Sequence, residues 1–296
     1  MIDLRICLII VVNIMFDINN KNILVTGATS GIGKAATLKL SSMGANIHFI
    51  ARNEEKAKDL SNEIEKLTGK APCSIIADLS SQNEIKRAAE EFKSLNIPLH
   101  VLLNNAGLIN TERKETVDGY EAVFALNHLA YYSLTNLLLD NLKNGSPSRI
   151  VNVSSGAHTF VKGFNFDDVQ ALESYKPFQV YGYSKLANIL FTKKLASLLE
   201  NDNITVNCLH PGVVGTAFGQ NNGRLFQKIL FFIIKPFIRS PEKGAESSVY
   251  LCSSSEISDI TGEYFYNCKI EKTSKWAKSQ EDADRLWTLS SELTGI

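Results

Sequence analysis

The sequence predicts an α/β fold in which a doubly wound, parallel sheet of seven strands carries helices on both faces within a single domain. Short apolar, β-branched runs alternate with amphipathic helical patterns, and no internal repeat or Pro/Ser-rich linker divides the chain. Most connections are long enough for right-handed crossovers, so ligands should bind beyond the carboxyl ends of parallel strands. The predicted strands are residues 22–27, 46–52, 73–79, 100–107, 149–155, 204–212 and 263–268.

Helix ends are predicted at two places between these strands. Ser81 and Glu84 have the spacing of a capping box ahead of "IKRAAEEF". Gly44 follows "KAATLKLSSM" as a C-terminal cap would. Both signals mark where a helix begins or ends and carry no information about function.

The composition is that of an ordinary globular protein, with 44% hydrophobic and 21% charged residues among 296. Basic and acidic residues number 31 each, so no net field draws the whole chain toward nucleic acid or an anionic membrane. The five cysteines lack any CxxC or His/Cys ligand spacing, which predicts reduced thiols, no metal site and a cytosol-facing protein.

The N-terminal segment 1–19 contains an apolar run, 6–16, of 11 residues that Asn13 interrupts. A helix needs about 20 residues to cross a bilayer, so this run is too short to span one. It also lacks the basic flank and cleavage site of a signal peptide. Packing on the domain and shallow membrane contact both stay open.

The stretch "NILVTGATSGIGKAA" places three glycines, Gly27, Gly31 and Gly33, between an apolar strand and a helix. Glycines let a backbone approach a pyrophosphate closely, and the N–H groups at a helix start favour negative charge. The turn therefore predicts a phosphate site, although a turn that needs glycine only for its torsion angles would look similar.

The second strand ends in "FIARN" and lacks the acid that usually binds the ribose 2′-hydroxyl of an unphosphorylated dinucleotide. Arg52 offers a guanidinium that could pair with a 2′-phosphate, which favours NADP(H) over NAD(H). A solvated arginine at a helix start is the alternative. Asp78 is either a turn former or an adenine contact.

The stretch "LLNNAG" places Asn104 and Asn105 at the end of a strand, where they either bind cofactor or join neighbouring strand ends. Tyr181 and Lys185 are four residues apart on one helix, so both side chains share a face and the ammonium should favour the phenolate. Ser155 should emerge at the same sheet edge, where a hydroxyl can hold a carbonyl oxygen. A turn or cap residue at the end of the strand is the alternative for this serine.

Several neighbouring side chains have less specific interpretations. Ser154 should point to the other side of the strand, and Tyr183 away from Lys185. No G-x-S-x-G elbow surrounds Ser155, which excludes that hydrolase pattern. His158 and His210 are isolated histidines in loops, and we interpret them as structural rather than catalytic residues.

These motifs, in this order, resemble the short-chain dehydrogenase/reductase family with its Rossmann-type fold. The resemblance covers residues 20–296, with T-G-x-x-x-G-x-G at 26–33, N-N-A-G at 104–107, Ser155, Y-x-x-x-K at 181–185 and P-G at 211–212. It implies a catalytic set of Asn127, Ser155, Tyr181 and Lys185. Besides Arg52, Tyr181 and Lys185, it implies cofactor contacts at Gly27, Ala28, Thr29, Ser30, Gly31, Ile32, Gly33, Asp78, Leu79, Asn105, Ala106, Gly107, Pro211, Gly212, Val214 and Thr216.

Within the family, "RIVNVSSGAH", "YGYSKLANILFT" and "LHPGVVGT" are most similar to the retinol dehydrogenase group. That resemblance implies hydride transfer between NADP(H) and the carbonyl or alcohol of a lipophilic substrate such as retinal or retinol. Tyr181 would donate the proton, Ser155 would hold the oxygen, Lys185 would lower the tyrosine pKa and Asn127 would position a water. Members often carry a longer hydrophobic N-terminal anchor than this chain has.

The segment 217–240 is predicted to be a substrate lid, because residues 225–237 are apolar nearly all round a helix. The alternatives are a peripheral membrane contact, with the basic residues of this segment at its edge, and a helix buried against the sheet or against a dimer partner. We therefore expect an intracellular protein, either in the cytoplasm or on the cytosolic face of a membrane such as the endoplasmic reticulum.

Two other functions are alternatives to catalysis by a dehydrogenase. A non-catalytic NADP(H)-binding regulator needs the glycine turn but not Ser155, Tyr181 and Lys185 together. A nucleotide-sugar epimerase or dehydratase normally needs a larger C-terminal substrate domain than the roughly 80 residues after Thr216 provide.

Overall fold

The structure is a computed structural model that describes residues 16–212 and 239–296. The predictions for most of the apolar run 6–16, for Val214 and Thr216, and for 217–238 of the lid concern residues outside these ranges. Within the described ranges, no helix is long and apolar enough to cross a membrane.

The strands form one sheet in the order β3-β2-β1-β4-β5-β6-β7-β8, and all pairs are parallel except the last. This confirms the predicted doubly wound α/β fold. The strands are β1 Asn22–Thr26, β2 Asn46–Ala51, β3 Cys73–Ile76, β4 Val101–Asn104, β5 Ser148–Val153, β6 Ile204–Leu209, β7 Tyr264–Tyr266 and β8 Lys269–Ile270.

The predicted count of seven strands is wrong by one. Asn267 and Cys268 both adopt the left-handed conformation, at φ values of 50° and 60°, and reverse the chain in a two-residue turn. The two residues of β8 then pair antiparallel with β7. A strand of this length has no periodicity that the sequence could display.

Helices cover both faces of the sheet, and α7, with 22 residues, is the longest in the part of the chain that the structure describes. They are α1 Gly31–Ser42, α2 Glu54–Thr68, α3 Gln82–Ser94, α4 Ala122–Phe124, α5 Ala130–Leu137, α6 Leu139–Asn144, α7 Pro177–Leu198, α8 Pro241–Ser253 and α9 Gln280–Thr294. A π-helical turn, Ala125–Leu129, joins α4 to α5, and 3₁₀ turns cover Gly156–Phe160, Ser255–Ile257 and Trp276–Lys278.

The core consists of two apolar layers because successive strand residues point to opposite faces. Ile23 and Val25 pack with α1 and α8 on one face, and Leu24 packs with α3 and α5 on the other. The central strands β1, β4 and β5 are buried on both faces. This explains why β1 and β4 read as nearly continuous apolar runs, whereas β5 also contains Arg149 and Asn152, whose side chains form hydrogen bonds.

The sheet order reverses between β1 and β4, which opens a crevice at the carboxyl ends of these two strands. The glycine turn follows β1 and Asn105 follows β4, so both border this crevice. The fold thus brings the motifs of the first and second quarters of the chain to one place.

Both predicted helix ends lie at the expected positions, but the N-terminus of α3 is capped by a different residue. Gly44 has a φ of 89° just after α1, as a C-terminal cap requires. Ser81 precedes α3, but its side chain makes no capping bond. Asp118 instead accepts the Gln82 N–H at 2.7 Å, and Glu84 pairs with Arg87.

Candidate active site

The glycine turn after β1 is built by backbone torsion and by close packing. Gly27 and Gly31 adopt φ values of 65° and 53°, a region that other residues enter at a cost. Gly33 has an ordinary φ, but a Cβ there would lie 2.1 Å from the Gly27 carbonyl oxygen and 2.4 Å from Asn105 Nδ2. Glycine is therefore required for conformation at two positions and for space at the third.

The first turn of α1 leaves its backbone N–H groups available to an anion. Ser30 is the N-cap residue, yet its side chain makes no capping hydrogen bond, and the first turn contains no acidic residue. The positive end of the helix therefore faces the crevice without a protein carboxylate on it. These residues fit a dinucleotide pyrophosphate.

Asn105 joins the ends of β1 and β4, which confirms the strand-joining interpretation. Its side-chain amide donates to the carbonyl oxygens of Thr26 at 3.0 Å and Gly27 at 3.2 Å. Thr26 Oγ1 accepts the N–H groups of Asn105 at 2.9 Å and Ala106 at 3.0 Å. Asn104 is buried instead, donating to Thr135 and Asn152.

Arg52 and Asp78 lie together at the carboxyl ends of β2 and β3. The Arg52 side chain is 69% exposed, and its Nη1 lies 3.8 Å from Asp78 Oδ2. Asp78 also accepts the Ser80 N–H and hydroxyl at Oδ1, which satisfies the turn-forming interpretation. Because an exposed pair at this distance binds weakly, the guanidinium stays available to a stronger anion.

Tyr181, Ser155 and Lys185 converge beyond the end of β5. A hydrogen bond joins the Ser155 and Tyr181 side chains. Lys185 Nζ lies 5.6 Å from the centre of the Tyr181 ring and donates to the Val153 carbonyl oxygen at 2.9 Å. Three side chains from two elements therefore face one point on the crevice.

Burial governs the pKa values of this pair. It raises the pKa of Tyr181 to about 12, with the Ser155 hydrogen bond acting in the opposite direction. It lowers the pKa of Lys185 to about 7. The expectation that the lysine would bring the phenol pKa down is not met in the protein alone, because removing both groups from water disfavours both charges.

Asn127 lies in the π-helical turn and is fully buried. Its Oδ1 accepts the Leu108 N–H at 2.8 Å, and its Nδ2 donates to the Leu108 carbonyl at 3.0 Å and to Ser184 Oγ at 2.9 Å. The surface interpretation of this residue is excluded. Its amide holds the loop after β4 against α7, the helix that carries Tyr181 and Lys185.

The neighbours of the catalytic candidates point where the periodicity places them. Ser154 is buried and donates to the Lys185 carbonyl at 2.8 Å. Tyr183 packs beside Phe164, away from Lys185. His158 bonds to the Ser155 carbonyl through Nδ1 at 2.9 Å and accepts the Ser274 N–H at 3.2 Å.

Two further predicted cofactor positions lie just beyond the carboxyl end of β6. Pro211 and Gly212 follow β6, and Gly212 has a φ of 82°. His210 Nδ1 accepts the Gly212 N–H at 3.1 Å, and the His210 ring stacks on Tyr266 at 4.1 Å. Both histidines thus have structural partners, and burial lowers the pKa of each.

Two supporting residues, Tyr131 and Ser184, were not predicted from the sequence. Tyr131, fully buried, donates to the Ala106 carbonyl at 2.8 Å and holds that residue at the crevice. Ser184 accepts from Asn127 and donates to the Tyr181 carbonyl at 2.8 Å. The signal for Tyr131 was its place four residues after Asn127, and for Ser184 its place between Tyr181 and Lys185.

Comparison with known proteins agrees with this geometry. Residues 21–224 match the profile of the short chain dehydrogenase family. Retinol dehydrogenase 12 of Mus musculus is 37% identical over 94% of this chain and 88% of its own length. Polyprenol dehydrogenase of Homo sapiens is 38% identical over 92% and 84%.

Among solved structures, an uncharacterized protein from Mycobacterium paratuberculosis aligns with a TM-score of 0.77 at 26% identity, covering 95% of this chain and 96% of its own. The resemblance to the retinol dehydrogenase group is confirmed by the curated relatives. The chain belongs to the short-chain dehydrogenase family and is an oxidoreductase that acts on CH–OH and C=O groups.

Proposed function

We propose that this chain is an NADP(H)-dependent oxidoreductase that interconverts lipophilic alcohols and their aldehydes or ketones, with Tyr181 as the acid and base. The observation that carries the proposal is the convergence of Ser155, Tyr181 and Lys185 beside the glycine turn. A regulator that binds cofactor without catalysis needs no such convergence. The nicotinamide, when bound, supplies or accepts the hydride.

The crevice between β1 and β4 fits a dinucleotide. The start of α1 would receive the pyrophosphate, with Asp78 and Leu79 beside the adenine and residues 105–107 along the nucleotide. Pro211 and Gly212 would border the nicotinamide, together with Val214 and Thr216 by the family resemblance. The uncapped α1 terminus and the crowded glycine turn support this fit.

Tyr181 suits the role of proton donor during carbonyl reduction. With a pKa raised to about 12, its hydroxyl holds its proton at neutral pH. Ser155 can donate to the same substrate oxygen and stabilise the charge that develops on it. In the oxidation direction a cation beside the phenol must lower its pKa, which is the role assigned to Lys185.

Asn127 is proposed to act by position. A Cβ on Gly107 would lie 3.2 Å from Asn127 Oδ1 and 3.6 Å from Lys185 Nζ, so these two polar groups flank the same backbone. The fixed amide of Asn127 keeps this spacing, and a water held there would link Lys185 to solvent.

The preference for NADP(H) rests on Arg52. It is exposed at the end of β2, where its guanidinium can leave Asp78 for a 2′-phosphate, which forms shorter and stronger bidentate bonds. We expect Arg52→Ala to weaken NADPH binding about tenfold to hundredfold and to leave NADH binding within twofold. Fluorescence titration with both cofactors measures this, and equal losses for the two would contradict the assignment.

The proposed substrate class comes from the relatives, which are named for retinol and for polyprenol. Both are long, apolar alcohols, so we expect higher kcat/KM for long apolar aldehydes than for short polar ketones. The resemblance and the apolar segments support four further proposals. These are lid closure by 217–240, shallow membrane contact, a homodimer, and a location in the cytosol or on a membrane face.

The test is a panel of carbonyls and alcohols assayed with both cofactors by absorbance of the reduced nicotinamide. Tyr181→Phe should abolish turnover and leave NADPH affinity nearly unchanged, because it removes only the transferable proton. Tyr183→Phe is the matched control, since that ring lies on the same helix and packs away from the site. Substantial residual turnover in Tyr181→Phe would overturn the proposal.

A further inference from the structure

A basic and apolar surface lies beside the candidate active site and takes no part in the proposed chemistry. It consists of two segments, 159–163 and 269–278, which we call the basic–apolar surface. The second segment contains four exposed lysines and one glutamate, Glu271, in a chain whose total charge is zero. The lysines are Lys269, Lys272, Lys275 and Lys278.

The positive charge of this surface is not neutralised locally. Within residues 16–212 and 239–296, none of the four lysines forms an ion pair. Other exposed lysines, such as Lys58 and Lys86, also lack one, but they do not occur four in ten residues. Lys162, on the first segment, is also exposed and without an ion pair there. Five cations therefore face water together against one carboxylate.

The two segments are in contact, so their exposed residues form one surface. Ser274 donates its N–H to His158 Nε2 at 3.2 Å, two residues before Phe160. A Cβ on Gly163 would lie 3.6 Å from the Trp276 ring. The segments thus run side by side at both ends of the first one.

Apolar side chains are exposed among these cations. Phe160 is 61% exposed and Ile270 is 54% exposed, although each would gain from burial. Lys275 Nζ lies 4.5 Å above the Trp276 ring, and that ring is half-buried. Single exposed apolar residues are ordinary, but exposed aromatic and aliphatic groups on segments that also carry unpaired lysines have the composition of a surface that contacts a membrane interface.

The surface is also joined to the catalytic candidates. His158 bonds to the Ser155 carbonyl through one ring nitrogen and to the Ser274 N–H through the other. Only two hydrogen bonds therefore separate Ser155 from the lysine segment. A bilayer in contact with this surface would therefore lie close to Ser155.

We infer that the basic–apolar surface docks on a lipid bilayer that contains anionic lipids and so places the active site at the membrane that holds its substrate. This inference rests on the proposed lipophilic substrate. Phosphate headgroups would receive the lysines, and Phe160 and Ile270 would enter the acyl boundary. Each lysine near such a surface contributes about fivefold in binding.

The experiment is co-sedimentation of the full-length protein with vesicles of phosphatidylcholine alone and of phosphatidylcholine with 30% phosphatidylserine. Vesicles of phosphatidylcholine alone measure any attachment by other apolar parts of the chain. The variant Lys269→Glu/Lys272→Glu/Lys275→Glu should lose at least about 100-fold of binding to the anionic vesicles. Phe160→Ser/Ile270→Thr should lose about tenfold on both vesicle types.

The matched control is Lys58→Glu/Lys66→Glu/Lys86→Glu, which changes net charge equally at three exposed lysines on α2 and α3. It should bind anionic vesicles within about threefold of wild type, because charges beyond about 10 Å are screened. Two further measurements weaken the attraction without adding carboxylates to the surface. They use the variant Lys269→Gln/Lys272→Gln/Lys275→Gln and wild type at 0.5 M salt. The inference would be overturned if wild type, the Lys269→Glu/Lys272→Glu/Lys275→Glu variant and the control variant all bound the anionic vesicles equally.

Two further outcomes distinguish a failure of the membrane inference from a failure of the proposed function. Wild type that binds polyglutamate as tightly as anionic vesicles would assign the surface to acidic proteins and overturn the membrane inference. Vesicle binding without turnover of any carbonyl would support the surface and refute the proposed function. The full proposal requires that phosphatidylserine raise kcat/KM for a long-chain aldehyde, but not for a water-soluble one, in wild type and in the control variant and not in Lys269→Glu/Lys272→Glu/Lys275→Glu.

Discussion

Replacing Gly33 by alanine tests whether the glycine turn is held by space as the structure indicates. Gly33 has an ordinary φ, so alanine there incurs no backbone strain, and in an open helix it would be favourable. The added Cβ, however, would lie 2.1 Å from the Gly27 carbonyl oxygen and 2.4 Å from Asn105 Nδ2. The substitution is therefore a crowding experiment at the junction of β1 and β4.

The magnitude follows from what must move. Ordinary Cβ contacts begin at 3.4 Å, so the turn has to open by about 1 Å. Opening breaks the bonds of Asn105 to Thr26 and Gly27, which are 3.0 and 3.2 Å long. Overpacking costs about 1–3 kcal/mol and each lost bond about 1 kcal/mol, giving a total near 3–5 kcal/mol. This is a large fraction of ordinary protein stability.

The assay combines urea unfolding with titration of NADPH fluorescence. Gly33→Ala should lower the free energy of unfolding by about 3–5 kcal/mol and weaken NADPH binding at least 100-fold, because the displaced turn is the proposed pyrophosphate site. Gly69→Ala is the control. Gly69 has a φ of 72° with nothing within 4 Å of its Cβ position, so alanine there costs about 1 kcal/mol from torsion alone.

Wild-type affinity for NADPH in Gly33→Ala would refute the reasoning, since the turn could then open without consequence for the cofactor. A loss of stability with unchanged affinity would separate folding from binding. It would place the cofactor contacts away from the turn.

Three further predictions concern buried polar groups. Thr26→Val leaves the N–H groups of Asn105 and Ala106 without their acceptor and should cost about 2–4 kcal/mol in urea unfolding, with Thr26→Ser recovering most of it. Burial lowers the pKa of His128 to about 3. Below pH 6.5 the unfolded chain therefore binds a proton at His128 that the folded chain does not bind. The free energy of unfolding should fall by about 2 kcal/mol from pH 7 to pH 5 because of this residue, and His128→Gln should remove that part of the pH dependence. Lys185, with a pKa of about 7, loses its charge as pH rises through 7. If the ammonium is needed, kcat/KM for carbonyl reduction should fall between pH 6 and 8, and a flat profile would show that it is not.

The sequence predicted the elements of the fold because their signals are local. Strands such as β1 and β4 are buried on both faces, so they read as apolar runs without reference to partners. The glycine spacing at 27, 31 and 33 and the pair Tyr181 and Lys185 each lie within one turn or helix. Parallel topology then places their ends at one edge of the sheet, which is why distant motifs could be assigned to one site.

Other features depended on residues far apart in the chain. The cap of α3 comes from Asp118, 36 residues after Gln82, and the apparent capping box is unused. The two-residue strand β8 forms only because β7 offers it an edge. No local pattern contains either partner, so periodicity could not reveal them.

What the sequence by itself determined is the fold, the family and the identity of the side chains at the carboxyl edge, because spacing and order encode them. Only the tertiary structure decided their electrostatic state. Burial raises the Tyr181 pKa to about 12 and lowers that of Lys185 to about 7, whereas spacing alone indicated a phenol activated by its neighbour. Charge states depend on how much water the folded chain removes from each group, and the packing that removes it comes from elements scattered along the chain.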